Sequence, residues 1–313
     1  MIRVNLLIGC TACGKSPVAL ELARRLGGEI LSVDSMKIYR RMDIGTAKPT
    51  PRERQCVPHH LVDIVEPHES YSLGRFMEDA DRVIHEIAER GKPIVAEGGT
   101  MMFVRGLLSG VFKGPPADPD FRHKLRARAA REGTEALHGE LARIDPAAAD
   151  RIHPNDLRRV ERALEVYHAT GQPITRLQTQ WESAGGGPYD CRVAAIRRER
   201  ETINRRINAR VRSMIDAGLV DEVRSLLADP TGIGEQAAQA VGYAEIIRHL
   251  RGELTLEEAV EQIKANTRRL AKAQRTWIRR MPGVRWLDAS DSDTVEFVAD
   301  RLWALWDTSS PAS

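Results

Sequence analysis

An α/β fold, with a parallel sheet flanked by helices and an α-helical insertion domain, is predicted by three features of the sequence. A short apolar run at 4–8 leads into a glycine-containing turn. Val18, Leu20, Leu22, Ala23 and Leu26 then recur at helical spacing, which makes a β-loop-α opening. Two further strand-like runs, 29–33 and 93–96, end on residues that carry chemistry, Asp34 and Glu97-Gly98-Gly99-Thr100. The cluster Gly114-Pro115-Pro116-Ala117-Asp118-Pro119 breaks this pattern and introduces about 70 residues of helical character that end at Gly185-Gly186-Gly187-Pro188.

Ligands of open parallel sheets bind beyond the carboxyl ends of the strands, so Asp34 and Thr100 are expected to converge on the turn after the first strand. Beyond the insertion, 193–196 returns as a strand, helices follow around 201–217, 219–227 and 256–280, and 284–287 forms a last strand. Pro311-Ala312-Ser313 reads as an unstructured tail. The expected division is a first part of a catalytic core at 1–113, a helical insertion at 114–190, a core continuation with C-terminal helices at 191–288, and a tail at 289–313.

Composition narrows the class. The 313 residues are 42% hydrophobic and 29% charged, an ordinary globular balance with enough apolar material for a sizeable core. Apolar runs stay far below the roughly 20 residues that span a bilayer. Met1-Ile2-Arg3 leads directly into a strand-like run and lacks the regions of a signal peptide, so a cytoplasmic protein without membrane attachment is expected. Cys10, Cys13, Cys56 and Cys191 are too scattered for a disulfide scaffold, and reduced thiols are the expectation. The net charge of +3 is small but unevenly placed. Arg197, Arg198, Arg200, Arg205, Arg206, Arg210 and Arg212 crowd one segment, and Lys264, Arg268, Lys272, Arg275 and Arg279 make a basic stripe.

The turn after the first strand is Gly9, Cys10, Thr11, Ala12, Cys13, Gly14, Lys15 and Ser16, which fits G-x-x-x-x-G-K-[ST]. In such a loop the glycines let backbone N–H groups surround phosphate oxygens, the lysine supplies charge, and the serine is the expected ligand of Mg²⁺. The strand-to-helix context that the motif requires is present, so the predicted fold is P-loop NTPase-like. Cys10 and Cys13 also form a C-x-x-C pair, but both occupy variable sites of the loop and phosphate binding already accounts for them.

A second stretch is more distinctive: Asp34-Ser35-Met36-Lys37-Ile38-Tyr39-Arg40-Arg41-Met42-Asp43-Ile44-Gly45-Thr46-Ala47-Lys48-Pro49. Together with Pro58-His59-His60-Leu61-Val62-Asp63, Gly98-Gly99-Thr100, Ile152-His153-Pro154-Asn155-Asp156, Val241-Gly242-Tyr243 and Thr267-Arg268-Arg269-Leu270-Ala271-Lys272, it resembles the tRNA dimethylallyltransferase family over roughly residues 2 to 288. The resemblance implies transfer of a five-carbon prenyl group from dimethylallyl diphosphate to N6 of the adenosine beside the tRNA anticodon. It implies Asp34 as the base, Lys15 and the loop amides with Mg²⁺ at Ser16 on the diphosphate, and Thr100 in the channel between the substrates. Arg210 becomes a further phosphate contact through the match of Arg206, Ile207 and Arg210 to the family's R-I-x-x-R. For the tRNA anticodon stem-loop the resemblance carries contacts onto Asp34, Ser35, Met36 and Lys37; Thr100; Arg122; Arg158, Arg159, Val160, Glu161 and Arg162; and Gln239, Ala240, Val241, Gly242, Tyr243 and Ala244. A monomer is expected.

Other readings stay open at this point. Asp34 also suits a helix cap or a magnesium ligand, Thr100 a strand end, and Arg210 a solvated helix face. A P-loop small-molecule kinase and an adenylate isopentenyltransferase are the competing activities. The chain departs from the family pattern at Cys10 for a common Pro, Lys37 for a common Gln, Phe103 for a common Tyr and Ala273 for a common Arg.

Overall fold

The computed structural model describes residues 1–111, 114–178 and 187–307. Gly185 and Gly186 of the expected loop and the 311–313 tail lie outside them. The chain divides into two compact units, Met1–Leu108 with Gly186–Ser313, and Ser109–Gly185.

The first unit is built on six strands among the described residues: β1 (Arg3–Ile8), β2 (Glu29–Val33), β3 (His59–His60), β4 (Ile94–Gly98), β5 (Asp190–Arg197) and β6 (Arg285–Asp288). They pair in the order β3-β2-β4-β1-β5-β6, and every pairing is parallel. β2 and β4 are buried at every position and β1 at every position after Arg3, the pattern of strands covered on both faces. The fold is P-loop NTPase-like. Register positions the site: Ile8 lies opposite Gly98 and Ala195, and Val33 also lies opposite Gly98. The loops that follow β1, β2, β4 and β5 therefore leave the sheet along one edge.

Local sequence explains the first crossover. Gly14, at φ 92°, turns the chain into the helix Lys15–Leu26, whose buried Val18, Ala19, Leu22 and Ala23 form the sheet-facing stripe. Gly27, at φ 61°, ends it. Two features differ from expectation. β3 is only two residues long, below the length at which a sequence pattern speaks. Residues 289–313, expected as a tail, contain the helix Val295–Asp307, with Val298, Ala299, Leu302 and Trp306 buried. Those four share one face at i, i+1, i+4 and i+8, and the helix packs on Lys15–Leu26 and β5. The polar run Ser290-Asp291-Ser292-Asp293 ahead of it disguises the helix as a chain terminus.

The second unit is helical, with Pro119–Glu132, Thr134–Ile144 and Leu157–Thr170 as its main helices. Leu125, Leu137, Leu141, Val160 and Leu164 make its own core. Asp118 and Asp156 cap the first and last of these helices by accepting from the Phe121 and Arg159 amides. Compact structure begins at Ser109, five residues before the 114 read from the Gly/Pro cluster.

Candidate active site

The phosphate loop closes β1 with a tight turn in which the Cys13 amide donates to the Cys10 carbonyl at 3.2 Å and Ala12 takes φ 64°. At Gly9 the loop packs so closely that a Cβ would fall 2.5 Å from Cys13 Sγ. Both cysteines are buried and free. Three arginines from beyond β5 brace the loop. Arg198 Nε donates to the Cys13 carbonyl at 2.8 Å, Arg206 Nε to the Ala12 carbonyl at 2.9 Å, and Arg210 Nη1 to the Thr11 hydroxyl at 3.4 Å. Burial holds the Arg198 and Arg210 pKa values below the usual arginine range. Arg210 is thus beside the loop, as expected, while the two carbonyl braces escape sequence reasoning.

Gln274 is another brace that motif reading missed. Its Oε1 accepts from the Thr11 amide at 2.8 Å and its Nε2 donates to the Gly99 carbonyl at 2.8 Å, so one amide side chain ties the phosphate loop to the turn after β4. Its place in the helix Leu256–Arg279 is what a sequence could offer, but nothing in helical periodicity marks a buried glutamine as a clamp. Gln274→Ala leaves both backbone groups unpaired, at a cost of about 1–3 kcal/mol each when buried. The expected outcome is a lower melting temperature together with weaker diphosphate binding, read by thermal unfolding with and without ligand. An unchanged ligand-induced shift would detach Gln274 from the site.

Asp34 follows β2 directly. Its Oδ1 accepts from the Met36 amide at 2.8 Å and the Lys37 amide at 3.3 Å, which fixes the carboxylate at the sheet edge. Both bonds go to Oδ1. These bonds close a turn and no helix begins there, so the expected helix-cap alternative for Asp34 is replaced by a turn that orients its carboxylate. Thr100 Oγ1 accepts from the Ser35 amide at 2.9 Å and donates to Ser35 Oγ at 3.2 Å, joining the ends of β4 and β2.

Beneath these lies a buried charge pair. Lys37 Nζ donates to Glu97 Oε1 at 2.7 Å and stands 3.5 Å from Ser16 Oγ, which itself donates to Glu97 Oε2 at 3.3 Å. Burial opposes the charge on both partners, yet Glu97 and Asp34 hold the lysine pKa above its usual value, and Lys37 and Lys15 hold Glu97 below the carboxylate range. A cavity of about 160 Å³ opens beside them, with Pro17, Leu20 and Ile30 among its walls. Ser16 and Glu97 are hard oxygen donors of the kind magnesium takes. With the ammonium of Lys37 between them, however, the set as arranged does not fit a resident divalent cation.

The IPP transferase family matches residues 37–281. The chain belongs to this family. The tRNA dimethylallyltransferase of Syntrophobacter fumaroxidans is 47% identical over 293 residues, covering 93% of this chain and 85% of the relative, and that of Geobacter metallireducens is 47% identical over 286 residues, covering 91% and 92%. The crystal structure of the tRNA isopentenylpyrophosphate transferase from Bacillus halodurans superposes with TM-score 0.71 at 40% identity, covering 98% of this chain and 97% of that one. A eukaryotic dimethylallyltransferase acting on tRNA superposes with TM-score 0.82 at 28% identity, covering 96% and 77%.

Within this IPP transferase chain, several residues expected to touch RNA have other work. Val160 is fully buried in the helical core, and Glu161 is 2% exposed and paired with Arg122 and Arg126, so neither side chain can reach RNA. Arg122 grips Glu165 through both carboxylate oxygens, at 2.7 and 2.8 Å, and Arg162 also pairs with Glu165 while donating to the Pro115 carbonyl. Arg158 is exposed, and Arg159 is exposed and paired with Asp156. Lys37 is turned into the phosphate-loop pair described above.

The Val241-Gly242-Tyr243 motif is largely internal scaffolding as well. Tyr243 is fully buried, and its hydroxyl donates to Glu222 Oε1 at 2.6 Å. Its ring packs so tightly on Gly45 that a Cβ there would come within 2.4 Å. Glu222 in turn accepts from the Asp43, Ile44 and Gly45 amides, which pins the 43–48 segment. Ala240 and Gly242 are buried, while Gln239 is exposed and Val241 and Ala244 are half-buried. Phe103 is buried and stacks on Phe76 with centroids 4.0 Å apart. The basic stripe is similarly divided: Lys264 pairs with Glu261, Arg268 bonds Asn208, and Lys272 and Arg279 are exposed. Among the described residues no helix is long and apolar enough to cross a membrane.

Proposed function

We propose that this protein transfers a dimethylallyl group from dimethylallyl diphosphate to N6 of the adenosine beside the tRNA anticodon. The observation that carries the reading is the convergence of Asp34 and Thr100, at the ends of neighbouring strands β2 and β4, with the phosphate loop at the end of β1. The diphosphate rests on the loop amides and Lys15, a cradle that stabilises the charge developing on the leaving group. N6 attacks the allylic carbon, the carbon–oxygen bond breaks, and its electron pair leaves with diphosphate. The proton released from N6 passes to the Asp34 carboxylate. An adenine must be unstacked to reach such a site, which favours an anticodon loop over a paired stem. Magnesium enters this reading as a counter-ion carried by the diphosphate.

Incubation of the purified protein with Mg²⁺, dimethylallyl diphosphate and unmodified tRNA, followed by nucleoside mass analysis, tests the reading. Prenylated adenosine in tRNA, with neither prenylated AMP nor ATP turnover in parallel reactions, is the expected result. Prenylated AMP or acceptor-dependent ATP turnover would move the protein to the free-nucleotide or kinase reading.

The helical unit offers the RNA contact, and Arg158 is one of its exposed cations, next to the capped start of Leu157–Thr170. Arg158→Ala is expected to weaken tRNA binding across tRNA sequences and to lower the salt slope by about one. Binding isotherms at several salt concentrations check this, and an unchanged slope would assign Arg158 to a solvated surface.

A further inference from the structure

Phosphate loops commonly hold a divalent cation between the loop serine and an acidic residue at the end of a neighbouring strand. Here both oxygen donors are present, Ser16 after β1 and Glu97 in β4, and Leu7 stands opposite Glu97 in the sheet register. Their shared partner, however, is Lys37. Its side chain is 7% exposed, Glu97's is 4%, and the contacts of 2.7 Å to the carboxylate and 3.5 Å to the Ser16 hydroxyl close a three-membered network. Asp34, through its bond to the Lys37 amide, sets the turn that carries the lysine inward.

We infer that the Lys37 ammonium, clamped by Glu97, is a built-in cation of the donor site that takes the place of a protein-bound divalent ion next to Ser16. This deepens the dimethylallyl diphosphate reading and rests on it. A divalent ion entering between Ser16 and Glu97 would meet the buried Lys37 ammonium, and the Glu97 carboxylate it would need is already paired with that ammonium. Lys37 Nζ already stands 2.7 Å from the Glu97 carboxylate, so the cation is in place before the donor arrives and requires no metal to be recruited. Removing Lys37 has the opposite consequence. It leaves the Glu97 carboxylate buried and unpaired beside a site for a polyanion, and frees an oxygen pair that suits magnesium.

The test is calorimetric titration of dimethylallyl diphosphate, without tRNA, into wild-type protein and Lys37→Gln, each in magnesium buffer and in EDTA. Wild-type affinity is expected to change by no more than about threefold between the two buffers, whereas the variant loses roughly tenfold or more in EDTA and regains most of it with magnesium. The double variant Lys37→Gln/Glu97→Gln keeps a neutral pair of similar volume and leaves no buried unpaired carboxylate, so it carries the test if the single variant does not fold. It is expected to bind the donor in EDTA better than Lys37→Gln does. Wild-type binding that depends on magnesium as strongly as that of the variant would overturn the inference while leaving the donor reading in place. Absence of donor binding to the wild type in both buffers would overturn the donor reading itself, and the inference with it.

Discussion

Asp34→Asn lowers kcat for prenyl transfer by about 10²- to 10⁴-fold, the range that a positioned general base supplies, while dimethylallyl diphosphate binds almost as before. Asparagine is the informative substitution. It keeps an oxygen that accepts from the Met36 and Lys37 amides, so the turn after β2 survives and only the proton-accepting capacity goes. Alanine would remove both and confound base with brace, particularly because the same turn delivers Lys37 to Glu97. Single-turnover rates with tRNA, alongside donor titrations, separate the two effects. A variant with wild-type kcat would remove Asp34 from proton transfer and leave it as the residue that closes the turn after β2.

Gly98→Ala destabilises the fold by about 3 kcal/mol or more, at the upper end of what overpacking a core costs. The added Cβ would fall 2.1 Å from the Val33 carbonyl oxygen and 2.5 Å from its carbonyl carbon. Both atoms belong to β2, which is hydrogen-bonded to β4 on one side and β3 on the other, so no flexible side chain can yield. The same shift would pull Val33 away from the Thr100 amide, which donates to its carbonyl at 3.3 Å, and so disturb the site as well as the sheet. Thermal unfolding checks this, with a drop of roughly 5–10 °C expected for a chain of this size. Gly139→Ala is the matched control. It lies inside the helix Thr134–Ile144 with open space around it, and alanine there raises stability by about 0.5–1 kcal/mol. Equal melting temperatures for Gly98→Ala and the wild type would show that the β2–β4 edge is free to spread.

Much of the site is legible in sequence because its parts are local. The Gly9–Ser16 loop is one continuous motif, and Asp34 and Thr100 each end a strand whose apolar run is visible by itself. The second group of residues is not legible in the same way. Gln274 reaches Thr11 across 263 positions, Arg198 and Arg206 reach the loop carbonyls across 185 and 194, and Glu222 pins Gly45 across 177. Each acts through hydrogen bonds to backbone groups, which every residue possesses, so the partner leaves no mark in its own sequence. Burial adds a second blind spot. Val160, Glu161 and Tyr243 are positions to which the family resemblance assigns tRNA contacts, yet their side chains hold the fold together, and a motif does not state which way a side chain points.

The phosphate loop, the alternation of strands and helices, the helical insertion and the family were determined by the sequence alone, since short-range spacing and periodicity encode them directly. Tertiary structure alone decided the Val295–Asp307 helix in place of a tail, the Gln274 and arginine braces, and the Lys37–Glu97 pair against Ser16. These depend on which groups meet after the sheet assembles in the order β3-β2-β4-β1-β5-β6. The charge that stands beside a phosphate is a property of that meeting, because a buried lysine acquires its role from the carboxylate and hydroxyl it faces and not from its neighbours along the chain.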